Sequence, residues 1–73
     1  MQAAAGAWSV VNAEWETIAE NLHCWEDAID VAQKTFGAQK TDWRRPRSQS
    51  LAGFEFFDVR TDKVLGMAFF DYK

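Results

Sequence analysis

Leu51-Ala52-Gly53-Phe54-Glu55-Phe56-Phe57-Asp58-Val59 and Val64-Leu65-Gly66-Met67-Ala68-Phe69-Phe70-Asp71-Tyr72, joined by Arg60-Thr61-Asp62-Lys63, decide the fold. Both runs are of strand length and rich in aromatic and branched residues, and a short polar turn separates them, which is the pattern of a β-hairpin. If Val59 faces Val64, the register sets Phe57 opposite Gly66, Phe56 opposite Met67 and Phe54 opposite Phe69. Alternation then puts Phe54, Phe56, Leu65, Met67 and Phe69 on one face and Phe57, Val59, Val64, Phe70 and Tyr72 on the other. Both faces are apolar, whereas a hairpin covered by one layer should alternate apolar with polar. The second face must therefore meet more of the chain, a second copy of it, or a partner.

Working outward, residues 24–36 are expected to form the layer that covers one face. Trp25, Ile29, Ala32 and Phe36 share a helical stripe, while Glu26, Asp27, Asp30, Gln33 and Lys34 take the other side. Acidic residues in the first turn and Lys34 near the end suit the helix dipole. Gly37 can take the left-handed C′ position that stops the helix. Residues 7–22 read in two ways. Trp8, Val11, Trp15, Ile18 and Leu22 continue the helical spacing, but Trp8-Ser9-Val10-Val11 and Trp15-Glu16-Thr17-Ile18 have strand-forming composition. No capping residue decides between helix and strand. Residues 38–50 read as a polar loop, with Pro46 biasing Arg45 towards extended backbone. The expectation is one α+β domain over residues 1–73, with the helix packed on a small antiparallel sheet that contains the C-terminal hairpin.

Composition narrows the function. A chain of 73 residues buries a modest fraction of its surface and needs good packing or a partner. Cys24 is the sole cysteine, so no intrachain disulfide is possible, and a lone thiol fits a reducing cytoplasm. His23 and Cys24 are too few for a structural metal site. There is no glycine-rich phosphate loop and no nucleophile–histidine–carboxylate set, so neither an enzyme nor a cofactor is expected. No apolar run is long enough to span a membrane, and the N-terminus lacks signal-peptide features. The expected setting is the cytoplasm, that of the host if the chain is phage-encoded.

The net charge of −3 is unevenly distributed. Residues 1–36 are acidic, and Lys40, Arg44, Arg45 and Arg47 make residues 37–50 basic. Two contact surfaces follow. One is the surplus face of the hairpin, with Phe57, Phe70 and Tyr72 as aromatic anchors. A fold-back of the N-terminal segment over that face is the competing outcome. The other is Trp43-Arg44-Arg45-Pro46-Arg47, where arginines beside a tryptophan could meet an acidic protein patch or grip phosphates. Glu55, inside the aromatic run Phe54–Phe57, would repel phosphate and speaks against base stacking there.

Ile18-Ala19-Glu20-Asn21, Trp25-Glu26-Asp27-Ala28-Ile29, Ala32 and Phe36-Gly37 together resemble the strand-to-helix junction of small β-α-β-β proteins. Such proteins recur among phage and mobile-element accessory proteins, anti-CRISPR inhibitors included. The resemblance spans roughly residues 15–72. It implies a non-enzymatic inhibitor that occupies a surface of a host protein or nucleoprotein complex. A nucleic-acid-contacting module built on residues 43–47 and a dimeric bacterial accessory protein are the alternatives.

Overall fold

Residues 7–22, where helical spacing and strand composition compete, form a β-hairpin. The computed structural model describes residues 6–45 and 53–72, with side chains described over 7–45 and 53–70. The order of elements is β1 (Gly6–Asn12), β2 (Thr17–Leu22), α1 (Trp25–Phe36), β3 (Thr41–Arg44), β4 (Gly53–Asp58) and β5 (Val64–Tyr72). The strands make one five-stranded sheet in the order β2-β1-β5-β4-β3, and each neighbouring pair is antiparallel. The chain is thus an α+β domain with one helix packed on an antiparallel sheet. The helical spacing of Trp8, Val11, Trp15, Ile18 and Leu22 is coincidental. Val10 and Val11 are both buried, yet only Val10 joins the core beneath the helix, and Trp15 is exposed in the turn.

The β1–β2 turn is built by Asn12. The Trp15 N–H donates to the Asn12 carbonyl at 3.0 Å, and the Asn12 N–H donates to the Glu16 carbonyl at 3.0 Å. The Asn12 side-chain oxygen accepts from the Glu14 and Glu16 N–H groups at 3.0 and 2.9 Å, and its amide donates to the Glu16 carboxylate at 2.8 Å. This is a three-residue hairpin loop in which a type I turn is followed by a left-handed residue. That residue is Trp15, at φ 66°. Asn21 and Asp62, the other non-glycine residues at positive φ, are types that tolerate it. For a tryptophan the conformation costs roughly 1–2 kcal/mol.

One face of the sheet carries the core. Val10, Phe56 and Ala68 meet Ala28, Ile29 and Ala32 of α1, and Trp8, Ile18, Leu22, Val31, Phe36 and Phe54 pack around them. The central strand β5 presents Gly66 and Ala68 to the helix side. A β-carbon on Gly66 would run into the Val11 carbonyl and come within 2.9 Å of the Phe36 ring. Gly66 therefore makes room for β1 and Phe36, and not for Phe57 as the sequence-derived register expects.

That register is corrected by one residue. Phe54 pairs with Ala68, Glu55 with Met67 and Phe56 with Gly66, and after an irregularity Phe57 pairs with Val64, leaving Leu65 as the extra residue. Met67 and Phe69 accordingly leave the face of Phe54 and Phe56, and Phe70 joins it, so Phe57 and Phe70 lie on opposite faces. The cause is the turn. Asp58 Oδ1 accepts the Arg60 N–H at 2.8 Å, and the Asp58 carbonyl accepts the Asp62 N–H at 2.8 Å. The Val59 N–H is drawn to the Lys40 carbonyl at 2.8 Å. Val59 becomes part of the turn, half exposed, instead of facing Val64.

The loop expected over residues 38–50 is corrected in part as well, because residues 41–44 are β3. Thr41 is buried, and the ladder to β4 sets Arg44 opposite Glu55. Residues 46–50, Arg47 among them, and the Tyr72 side chain lie outside the described residues. Two substitutions test the packing by chemical denaturation. Phe56→Ala empties the fully buried centre and should lower the unfolding free energy by about 3–5 kcal/mol. Gly66→Ala should destabilise by about 1–3 kcal/mol through forced overpacking.

Candidate functional site

The face of the sheet turned away from α1 is the candidate site. It presents Ser9 and Val11 from β1, Met67 and Phe69 from β5, Glu55 and Phe57 from β4, and Asp42 and Arg44 from β3, as the pairings require. No other described element lies over it. Residues 6–22 do not fold across it, since β1 and β2 extend the sheet sideways. Val11 turns to this side beside Met67 but is itself buried. Phe57, Met67 and Phe69 are half-buried by their neighbours.

Arg44 organises this face. Its Nε donates to Glu55 Oε2 at 2.8 Å, and Nη2 lies 2.8 Å from the same oxygen without the alignment of a hydrogen bond. Nη1 donates to Asp62 in the β4–β5 turn at 2.7 Å. The guanidinium carbon sits 4.2 Å above the centre of the Phe57 ring, a cation–π arrangement. The hydrogen bond to Asp62, then that to Glu55, holds the guanidinium above its ordinary pKa. A raised cationic pKa means that this stabilisation is present throughout the neutral range and is lost only in strong alkali. Glu55, whose side chain is 8% exposed, is a nearly buried acid that depends on this one cation.

The sequence-derived set divides on the structure. Arg44 and Phe57 are brought together, in an internal contact that the spacing does not reveal. Phe70 lies on the helix-covered side, its ring 5.7 Å from Trp8, which stacks on Phe54 at 5.6 Å. Trp25 meets Phe54 at 6.0 Å and remains 46% exposed. Trp43 stands at the sheet edge, and Arg45 is exposed just beyond β3. Sequence reasoning missed Met67 and Phe69 as members of the open face. A register shifted by one would have found both.

The edges of the sheet are blunted against strand addition. The bond from Val59 to Lys40 makes Thr41 and Asp58 a wide pair, so the Thr41 and Trp43 N–H groups point away from β4. Both are already taken. Thr41 donates to the Gly37 carbonyl at 3.1 Å and Trp43 to the Asp42 carboxylate at 2.8 Å. At the other edge, β2 slips register against β1 at two places, and Asn21 turns left-handed. Bulges and self-satisfied donors both blunt an edge.

Among the described residues no three His, Cys, Asp or Glu side chains converge to hold a metal ion, and no helix is long and apolar enough to cross a membrane. His23 is exposed and Cys24 half-buried, directly before α1. No family model, curated protein or solved structure matches the chain.

The Arg44 cluster can be tested by a double-mutant cycle. Arg44→Ala strands the Glu55 carboxylate in an apolar face and should lower the melting temperature clearly. Adding Glu55→Gln should restore part of that loss, because the stranded charge is gone. Additive losses would show that the two side chains do not interact.

Proposed function

We propose that the chain is a non-enzymatic binding protein, an inhibitor of the phage type with anti-CRISPR character, that covers a surface on a host protein or nucleoprotein complex. One observation carries this reading. Among the described residues a single helix covers one face of the sheet, and the other presents the half-buried Phe57, Met67 and Phe69 with no described element over them. Apolar surface of that kind is normally completed by a partner. The blunted edges are consistent with this, since they disfavour recognition by strand addition. The titratable groups of the face are engaged in holding it together: Glu55 and Asp62 are taken by Arg44. Pre-organised side chains of this type lower the entropy lost on docking.

The nucleic-acid reading of residues 43–47 has less support. Arg44 is spent on two carboxylates and a ring, which leaves Arg45 as the exposed cation of that segment among the described residues. A second copy of the chain remains an alternative occupant of the face.

The test is made in a host with active CRISPR immunity. Expression of the chain should restore plating of a targeted phage. Phe69→Asp, which places a charge on the open face, should abolish the effect while the purified variant keeps its circular dichroism. Intact immunity with wild-type protein present would refute the inhibitor reading. Light scattering that shows a dimer for the wild type and a monomer for Phe69→Asp would assign the face to self-association. Salt-sensitive retention of DNA or RNA on a filter would instead favour the nucleic-acid module.

A further inference from the structure

Trp15 is the most exposed large apolar residue described, at 62%, and it sits where the backbone disfavours it most, at φ 66°. A three-residue hairpin loop of this geometry takes glycine at that position. Elsewhere among the described residues the rule is followed, with Asn21, Asp62 and Gly37 at the other positive-φ positions. The exception brings the fold no visible return. The turn is held by the backbone and side chain of Asn12, the Trp15 ring makes no ring contact with a described residue, and it lies outside the core. A residue that breaks a local rule without intramolecular compensation marks function.

We infer that Trp15 is a binding anchor, displayed on a rigid tip for insertion into an apolar pocket with a cationic rim on a partner protein. The flanking residues define that chemistry. Glu14 and Glu16 flank Trp15 in the sequence and both are exposed. The Asn12 amide holds the Glu16 carboxylate in place at 2.8 Å, and Glu20 adds a further exposed acid on β2. An exposed aromatic ring with acidic neighbours in the same turn complements lysine or arginine around an apolar hollow. Phosphate backbones and anionic lipid surfaces would be repelled by the same charges. Tryptophan at the centre of a small, pre-ordered contact is a typical dominant anchor. This inference does not depend on the open sheet face, since Trp15 lies in the β1–β2 turn.

The experiment uses the full chain and has two arms. In the first, thermal unfolding compares the wild type with Trp15→Gly. The melting temperature should be unchanged or rise, by up to about 4–8 °C, as the strain is relieved. A fall of several degrees would mean that Trp15 supports the fold, and the inference would be overturned. In the second, a benzophenone-bearing phenylalanine replaces Trp15, or Val59 as an exposed control, and cells of the source organism are irradiated. One protein should be captured from position 15 and not from 59, with lysine or arginine beside apolar residues in the cross-linked peptide. Purified wild-type chain should compete the capture, whereas Trp15→Gly and Glu14→Lys should compete at least tenfold less well. Capture shared by both positions, capture through an acidic segment, or no capture would overturn the inference. So would a blue shift of tryptophan emission with phosphatidylcholine vesicles that Trp15→Gly abolishes, because the anchor would then be lipid-directed.

Discussion

The close approach of α1 to the middle of the sheet is the constraint on which the rest depends. Ala28 and Ala32 on the helix lie over Ala68 on the central strand, and all three are fully buried. Gly66 continues this layer of small residues where β1 and the Phe36 ring press in. Small side chains at the crossing let the larger ones, Phe56 and Ile29, fill the space around it at native density. They also fix the register of β5. A slip by one residue would bring Met67 and Phe69 under the helix, where no room exists for them.

Placing Gly66 and Ala68 inward forces Met67 and Phe69 outward, so the packing of the first face decides which side chains the second presents. A polar set at those outward positions would fit a self-sufficient domain better. The chain instead holds the face in order with Arg44, stacked on Phe57 and bound to Glu55 and Asp62. The edge strands are treated in the opposite way. Asp42 occupies the outward amide of Trp43, and β2 is broken by irregularities. The molecule is thus blunted at its edges and open on one face.

Much of this was legible in the residues, and the failures have specific causes. The helix was readable because its stripe, first-turn acids and terminal glycine agree with one another. The surplus of apolar surface was readable from Phe54 to Phe70 without a register. The register itself was hidden by Asp58 and Asp62, whose turn takes in Val59, a residue that strand propensity alone would place in the ladder. Residues 8–22 were ambiguous because three-four spacing and alternation overlap in so short a run, and pairing with β5 decides a matter that local preference leaves balanced. β3 was obscured by its polarity. Thr-Asp-Trp-Arg looks like a loop until Glu55 is known to stand opposite Arg44. Trp15 was misread for the same reason as its neighbours, since its left-handed backbone becomes visible only with the turn that Asn12 builds.

The placement of β1 beside β5 bears on how the molecule comes into being. These first and last strands form the centre of the sheet, so its longest-range pairing is also its innermost. Each hairpin and the helix can form from nearby residues, but the core is incomplete until the β5 edge of the β4–β5 hairpin docks against β1. Contacts so distant in sequence delay the rate-limiting step. A chain emerging from the ribosome would carry an unsupported β1–β2 hairpin and an unburied helix stripe until its final strand is free, and only then could the structure assemble in one cooperative event.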